Sequence, residues 1–264
     1  NTIAGTVSLT DDGSELNIER GWQDIDNIVA EIGTKVNIGK GTVLTTNEGD
    51  GTINLKAGAT VQVNGMLTKT NIIGEAASKI LVGDKNSSGK MFVNALGSFQ
   101  GSIFLDPVWK DGTTISDASQ FALENASNIG FGLTVGRNSL ASLGTADTFE
   151  AINAFNASGL KWGEDDTTAA LYLSKPVTVA ATGGIRVDGS AVNVASSAAD
   201  LDTAEFADNS LLMVNAENLG VNDAALSGSV LKVKDGAKLY LDNIPDGGGV
   251  YTIANFTDTD AAKG

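Results

Sequence analysis

Acidic side chains are the groups of this chain best suited to chemistry. Its 264 residues include 32 Asp and Glu but no histidine and no cysteine. Thiol nucleophiles, disulfides, the usual zinc sites and histidine acid–base schemes are therefore excluded. Glycoside hydrolysis needs only two carboxylates about 5–9 Å apart. The candidate groups are Asp106 with Asp111, and Glu164 with Asp165 and Asp166.

We interpret these carboxylates as solvated loop charges, because a chain with net charge −15 carries many of them. A polysaccharide lyase would also need a basic residue to abstract a proton. Arg20, Arg137 and Arg186 lie far apart in the sequence, and Arg186 occupies the outward phase of its predicted strand. The sequence therefore predicts a protein that is not an enzyme and has no catalytic residue.

Two further features could bind ligands. Glu48 and Asp50 lie in a Gly-rich turn whose oxygens would suit calcium, but the full acidic spacing of a calcium loop is missing. We therefore expect a plain turn, and assign no metal and no cofactor. Trp22, Trp109 and Trp162 could stack on sugars, although buried packing is at least as common for tryptophan.

Internal repeats indicate the elements that must position these groups. Ile53–Val63 and Leu231–Leu241 match position for position: each has two alternating apolar pairs separated by a turn containing Lys, Gly and Ala. Val177–Val187 keeps the same spacing, with its glycines one step later. Alternation of this kind puts one face of a strand inward, and repetition of the unit is typical of a solenoid.

The composition favours thin stacked layers. Aromatic residues make up 6% of the chain, and it has 32 glycines but 3 prolines, so the core must use small and branched aliphatic side chains and the turns must keep their backbone donors. We predict an all-β fold, a right-handed parallel β-helix with a short helical excursion in the middle. An antiparallel β-sandwich, which also has regularly spaced short strands, is the alternative.

The middle of the chain departs from the repeat. We predict one β-helical domain over residues 1–264, with irregular or decorated coils over 99–171. Phe149, Ile152 and Phe155 recur every three residues, which predicts a short amphipathic helix over 146–157. A second helical turn is expected over Ser116–Glu124.

Charge and hydropathy restrict the partners. A net charge of −15 would repel nucleic acid and anionic lipid. The sequence has no run of about 20 apolar residues. The absence of cysteine suits a chain that is exported unfolded, because no thiol can crosslink too early.

The repeats, together with the segments Gly236–Asn243 and Gly249–Ala254, resemble the β-helical passenger domains of Gram-negative autotransporters. The resemblance covers about the first hundred and last ninety residues. It implies type V secretion, with the chain displayed at the outer membrane by a barrel that this sequence lacks, or released outside the cell. The Gly-Asp-Ser-Gly nucleophile motif of protease-bearing passengers is absent.

The resemblance implies a non-catalytic adhesin or structural stalk of the cell surface, with a role in virulence. Its expected partners are a host protein or glycan, or a second copy of the chain, and not nucleic acid. Two alternatives remain: a carbohydrate-active β-helix enzyme, a lyase or hydrolase, and a segment of a phage tail-spike, which would form a trimer.

Overall fold

The chain folds into short parallel strands. The computed structural model describes residues 1–106, 118–126, 128–136 and 139–144 and, from Ala169 onward, the strands given below with positions 183, 236 and 237. Every pairing between strands is parallel. The strands are β1 (Thr2–Leu9), β2 (Glu15–Ile18), β3 (Gly21–Ala30), β4 (Lys35–Ile38), β5 (Thr42–Thr45), β6 (Thr52–Leu55), β7 (Thr60–Val63), β8 (Met66–Thr68), β9 (Asn71–Gly74), β10 (Lys79–Val82), β11 (Lys90–Val93), β12 (Ala95–Leu96), β13 (Ser102–Leu105), β14 (Ser119–Leu123), β15 (Asn128–Ile129), β16 (Gly132–Val135), β17 (Ser139–Leu143), β18 (Ala169–Leu173), β19 (Thr178–Val179), β20 (Gly184–Val187), β21 (Ser190–Val194), β22 (Ala199–Asp200), β23 (Thr203–Phe206), β24 (Leu211–Asn215), β25 (Ala224–Val233), β26 (Lys238–Asp242) and β27 (Thr252–Thr259).

Successive strands turn through three faces, and each face stacks on the same face of the next coil. Face 1 comprises β2, β4, β7, β10, β13, β16, β20, β23 and the end of β25. Face 2 comprises the start of β3, then β5, β8, β11, β14, β17, β18, β21, β24 and β26. Face 3 comprises the strands that follow face 2 and precede face 1, among them the end of β3, β6, β9 and β12. The predicted parallel β-helix is confirmed, and the antiparallel sandwich is wrong.

Alternating side chains explain why these segments form strands. In β7, Val61 and Val63 are fully buried while Thr60 and Gln62 reach the outer surface. The register then places aliphatic residues above aliphatic residues along the whole face. One inward column of face 1 runs through Leu16, Val36, Val61, Ile80, Ile103, Leu133 and Ile185. The core is thus a set of continuous ladders rather than one central cluster.

The corner between face 3 and face 1 repeats one tight turn. In four successive coils the N–H of its fourth residue donates to the carbonyl of its first, as in Thr34 to Glu31 at 3.2 Å. The third residue has a positive φ in every coil that uses it, as type II turns require. These third residues are Gly13 (82°), Gly33 (75°), Gly58 (83°) and Ala77 (69°). Glycine adopts this conformation without steric penalty, and Ala77 does not.

The sequence repeats belong to two different corners. Ile53–Val63 comprises β6, a turn and β7, so it joins face 3 to face 1. Leu231–Leu241 joins the end of β25 on face 1 to β26 on face 2, with Gly236 again at positive φ. The same spacing of apolar pairs is therefore compatible with two different corners of the coil.

The middle of the chain keeps the same stacking where the structure describes it. The expected helical turn over Ser116–Glu124 is wrong, because Ser119–Leu123 forms β14 between β11 and β17. Backbone pairing with two neighbouring coils outweighs the local preference of that segment. The helix predicted over 146–157 lies outside the described residues.

Face 2 is enclosed on both sides at β14 and β17. All residues of both strands are buried, including the outward-pointing Gln120, Ala122 and Leu140. By contrast, the outward residue Trp22 at the start of β3 is 57% exposed. The outer surface of face 2 thus changes from solvent-facing to buried along the axis.

The positive φ of Ala77 leads to the first prediction. We expect Ala77→Gly to raise the free energy of unfolding, because it relieves left-handed strain of about 1–2 kcal/mol. Glycine's greater freedom in the unfolded chain offsets about 0.5–1 kcal/mol of this, which leaves a net gain of up to about 1.5 kcal/mol. Urea unfolding followed by circular dichroism measures the change.

Gly13→Ala is the matched variant, since a Cβ there would meet no atom within 4 Å and the same turn position is changed in the opposite sense. It should lower the unfolding midpoint by a comparable amount. If both substitutions shift the midpoint in the same direction, backbone strain at the third turn position is not what distinguishes these sites.

Candidate functional site

Of the acidic residues considered for glycoside hydrolysis, the structure describes only Asp106. Asp106 directly follows β13 at the corner between face 1 and face 2, where Asp84 of the preceding coil lies beside it. Asp111 and Glu164, Asp165 and Asp166 lie outside the described residues. The carboxylate pairs that the sequence nominated for glycoside hydrolysis are therefore represented by Asp106 alone.

The corner at Asp84 and Asp106 is organised by hydrogen bonds. One carboxylate oxygen of Asp84 accepts from the N–H groups of Asn86 (2.7 Å) and Ser87 (2.8 Å), and the other accepts from the Asn64 side chain (2.8 Å). Burial raises the pKa of Asp106, and the negative charge of Asp84 raises it further. The Asp84 carboxylate therefore stabilises its own turn and binds Asn64 of the preceding coil. The ionised form of Asp106 is disfavoured by burial and by the charge of Asp84.

The Gly-rich turn nominated for calcium is a left-handed bend at the corner between face 2 and face 3. Asn47–Gly49 forms a single 3-10 turn, in which Asn47 and Glu48 have φ of 42° and 50°. The Asp24 carboxylate accepts from the Thr45 hydroxyl (2.7 Å) and the Glu48 N–H (3.3 Å), and so ties the turn to the previous coil. In the part of the chain that the structure describes, no three acidic side chains are grouped to hold a metal.

One ion pair crosses between coils at the corner that joins face 3 to face 1. Lys56 Nζ lies 3.0 Å from the Glu75 carboxylate, whose other oxygen accepts from the Ala57 N–H at 3.2 Å. The hydrogen bond to Glu75 raises the pKa of Lys56, and the hydrogen bond from Lys56 lowers the pKa of Glu75. Both side chains are solvent-exposed, so this pair adds little to stability.

The arginines nominated for lyase chemistry lie on different coils. Arg20 lies in the corner between β2 and β3, and its carbonyl accepts from the Gln23 side chain at 2.7 Å. Arg186 points outward from β20, in the column that begins at Asn17. Six parallel pairings of about 4.8 Å separate these rungs, or about 30 Å along the axis. They cannot act on the same sugar, and Arg137 lies outside the described residues.

Trp22 is the most exposed aromatic side chain among the described residues, at 57%. Its indole N–H donates to the Thr45 hydroxyl (3.2 Å), which in turn donates to Asp24 (2.7 Å). These two hydrogen bonds hold the indole ring in place, while the ring itself remains exposed to solvent. Val43 and Met66 follow it in register on the next two coils, so a short apolar column runs along the outside of face 2.

The outside of face 1 has a different character. Over its first three coils its outward columns carry charged, amide and hydroxyl side chains, and the Asn37 amide donates to Asn17 of the coil below at 2.7 Å. Gln62 continues this column and donates to Asn64 at 2.8 Å. Leu81 and Phe104 then follow Gln62 in the same column. The difference between the apolar column outside face 2 and the polar columns outside face 1 could not be predicted from the sequence. It depends on which face each strand belongs to. Among the described residues, no helix is long and apolar enough to cross a membrane.

Comparison with known proteins gives little at the level of sequence. No family profile matches the chain, and no curated protein matches it. Among solved structures, it is similar to a crystal structure of a hyper-glycosylated TibA fragment produced with TibC. The identity is 12%, the alignment covers 96% of this chain and 98% of that one, and the TM-score is 0.27. The fold assignment therefore depends on the strand pairings themselves.

The raised pKa of Asp106 generates the second prediction. A carboxyl whose pKa is higher in the folded state penalises folding once it ionises, so Asp106→Asn should raise the melting temperature at pH 7. The gain should shrink as pH falls through the raised pKa, and disappear below the ordinary value for aspartate. Thermal melts of both proteins between pH 3 and pH 7 measure it.

Asp84→Asn provides the contrast. It removes the charge that Asp106 faces, but the amide nitrogen can no longer accept the hydrogen bond from Asn64, so we expect no comparable gain. A gain from Asp106→Asn that is independent of pH would show that ionisation of this carboxyl is not the cause.

Proposed function

We propose that this chain is a non-catalytic rod that a Gram-negative bacterium secretes or displays on its surface, where it acts as an adhesin or stalk. An outer-membrane barrel outside this sequence would provide the export route. The proposal follows the resemblance of the repeats to autotransporter passengers. Its partners would be host proteins or glycans, and its binding surface the outward columns of the strands.

The continuous face 1 ladder is the observation that carries the proposal. Its strands pair in parallel from β2 to β25 without interruption among the described pairings. Strands spaced at about 4.8 Å make this ladder about 40 Å long. Each coil is held by backbone hydrogen bonds to its neighbours and by buried aliphatic columns, so the stack resists bending. Such a rod suits a protein that holds a contact surface away from a cell.

The polar groups of the described coils support a structural role. Asp24, Asp84 and Glu75 each accept hydrogen bonds that tie one coil to the next or close a turn. A catalytic carboxylate would instead need to be free and to face a partner across a cleft. The strong negative charge argues against nucleic acid and in favour of neutral or basic contact surfaces.

The third prediction concerns adhesion. Inert microspheres coated with the purified chain should bind to host-cell monolayers more than uncoated spheres do. We expect Trp22→Ala to weaken this binding about fivefold, the effect of losing about 1 kcal/mol from an exposed aromatic contact. Ile32→Ala is the matched control, because Ile32 is also exposed (65%) but lies on a corner away from face 2.

Three outcomes would contradict the proposal. Cleavage of acidic polysaccharides that Asp165→Asn abolishes would make the chain an enzyme. A stable trimer in sedimentation equilibrium would favour the tail-spike alternative. A frictional ratio typical of a sphere would exclude both the stalk and the adhesin, since each depends on a rod.

A further inference from the structure

Positive charge is concentrated in one section of the rod. Residues 35–90 contain seven lysines and four acidic residues, for a net charge of +3, although the whole chain has a net charge of −15. Residues 1–34, which precede this section in the stack, contain seven acidic residues and one arginine. The sequence has no acidic residue between Asp84 and Asp106. Charge is therefore distributed unevenly along the axis.

Two of these lysines project from the outer surface of face 1. Lys35 is the first residue of β4 and Lys79 the first residue of β10, and the register places them in one outward column with Thr60 between them. Two strand spacings separate the lysines, or about 10 Å along the axis. Face 1 therefore presents two ammonium groups on alternate coils, with a small hydroxyl side chain between them.

Three more lysines continue around the corner from face 1 to face 2. Lys40 and Lys85 are exposed and lie in this corner on the same two coils as the first pair. Lys90 is the first residue of β11, where it follows Met66 in the outward column of face 2 that begins at Trp22. We call these five residues the lysine band: Lys35, Lys40, Lys79, Lys85 and Lys90.

The ammonium groups of the lysine band are available to a ligand. None of the five forms an ion pair within the described coils, where the pair of Lys56 with Glu75 lies at a different corner. Residues 83–89 contain one acidic side chain, Asp84, and its carboxylate accepts three hydrogen bonds from its own turn and from the coil below. Those bonds hold the turn in place, so Lys85 projects from a fixed position.

The net charge of the whole chain disfavours long polyanions, but a small anion responds to the charges nearest to it. The Debye length at physiological salt is about 8 Å, so distant acidic coils are largely screened. Glu15 lies directly below Lys35, and Asp106 follows β13 on the coil above Lys79. These carboxylates limit the favourable region to about three coils. A single polymer chain fits it, whereas a nucleic-acid duplex would also meet the acidic residues on either side.

We propose that the lysine band binds a sulfated glycan chain. A lysine ammonium is a point charge with three donors, so it binds anionic oxygens without the fixed fork of arginine. Five such charges within three coils match a ligand with a high density of anionic groups, which sulfated glycans have and unsulfated uronate polymers lack. The lysine band adjoins the Trp22 column at Lys90, so the inference rests on the adhesive role proposed above and names its partner class.

The fourth prediction concerns the binding of a heparin octasaccharide to the purified chain. Titration calorimetry at physiological salt should show binding that weakens as the salt concentration rises, because counterions are released when the lysines contact the sulfates. We expect Lys85→Gln to weaken binding about fivefold, the effect of removing one lysine from an anionic contact. Lys79→Gln combined with Lys85→Gln should weaken it by about tenfold or more.

Lys69→Gln is the matched control. Lys69 is also an exposed corner lysine of residues 35–90, but it lies between face 2 and face 3. Its removal changes the net charge equally, so the affinity should fall by less than about twofold, because screening weakens charges at that distance. Equal losses from Lys85→Gln and Lys69→Gln would overturn the lysine band as the site. Circular dichroism and melting temperature check that each variant is folded.

Two further ligands test the chemical class. A hyaluronan octasaccharide, which has carboxylates but no sulfate, and a short DNA duplex should each bind at least about tenfold more weakly than heparin. Hyaluronan that binds as tightly as heparin would overturn the requirement for sulfate. Duplex DNA that binds as tightly as heparin would overturn the assignment to a glycan, and absence of heparin binding would overturn the site.

The microsphere experiment separates this inference from the adhesive role. Coated microspheres that bind to host cells, together with a purified chain that does not bind heparin, would overturn the lysine band and retain the adhesin. A purified chain that binds heparin through Lys85, together with microspheres that do not bind to cells, would overturn the adhesive role and retain the glycan site.

Discussion

Stacking of inward aliphatic side chains in register is the interaction on which the rest of the structure depends. A single coil has no core of its own, because each of its faces contributes one or two inward side chains to a thin interior. Ile53 is fully buried because Ile28 lies below it and Ile72 above it in the same column. Ile3 shows the converse at the end of its column, where it is 46% exposed. Burial is therefore a property of the stack and not of the coil.

The corners determine whether this stacking can continue. Each coil must return to the same angular position, so turn length and turn conformation are as constrained as the core. Glycine at positive φ closes the tight corner, while Asp24, Asp84 and Glu75 connect the corners of neighbouring coils. This accounts for the acidic and amide residues beside the aliphatic pairs. They satisfy backbone donors that the irregular corners would otherwise leave without partners.

The fold could be predicted because its two determinants are local. Alternating aliphatic pairs at a fixed spacing, with a Gly-containing turn between them, predict strands joined by corners, and their recurrence predicts stacking. The spacing does not determine which corner a repeat occupies: Ile53–Val63 and Leu231–Leu241 match closely yet lie at different corners. Ser119–Leu123 shows the other limit, since its strand is selected by pairing with coils distant in sequence. The exposure of Trp22 and the enclosure of Gln120 likewise depend on neighbouring coils.

The same alternation places different demands on inward and outward positions. An inward position requires only an aliphatic side chain of suitable size, and cores tolerate exchanges among Val, Ile and Leu at small cost. An outward position has no packing requirement from the core, so it is free to change with the partner it contacts. Few positions then need a specific residue beyond the turn glycines. A solenoid of this kind can retain its strand pairings while many of its residues change. In the adhesive role proposed above, specificity would depend on outward surfaces such as the Trp22 column, which lies outside the aliphatic core.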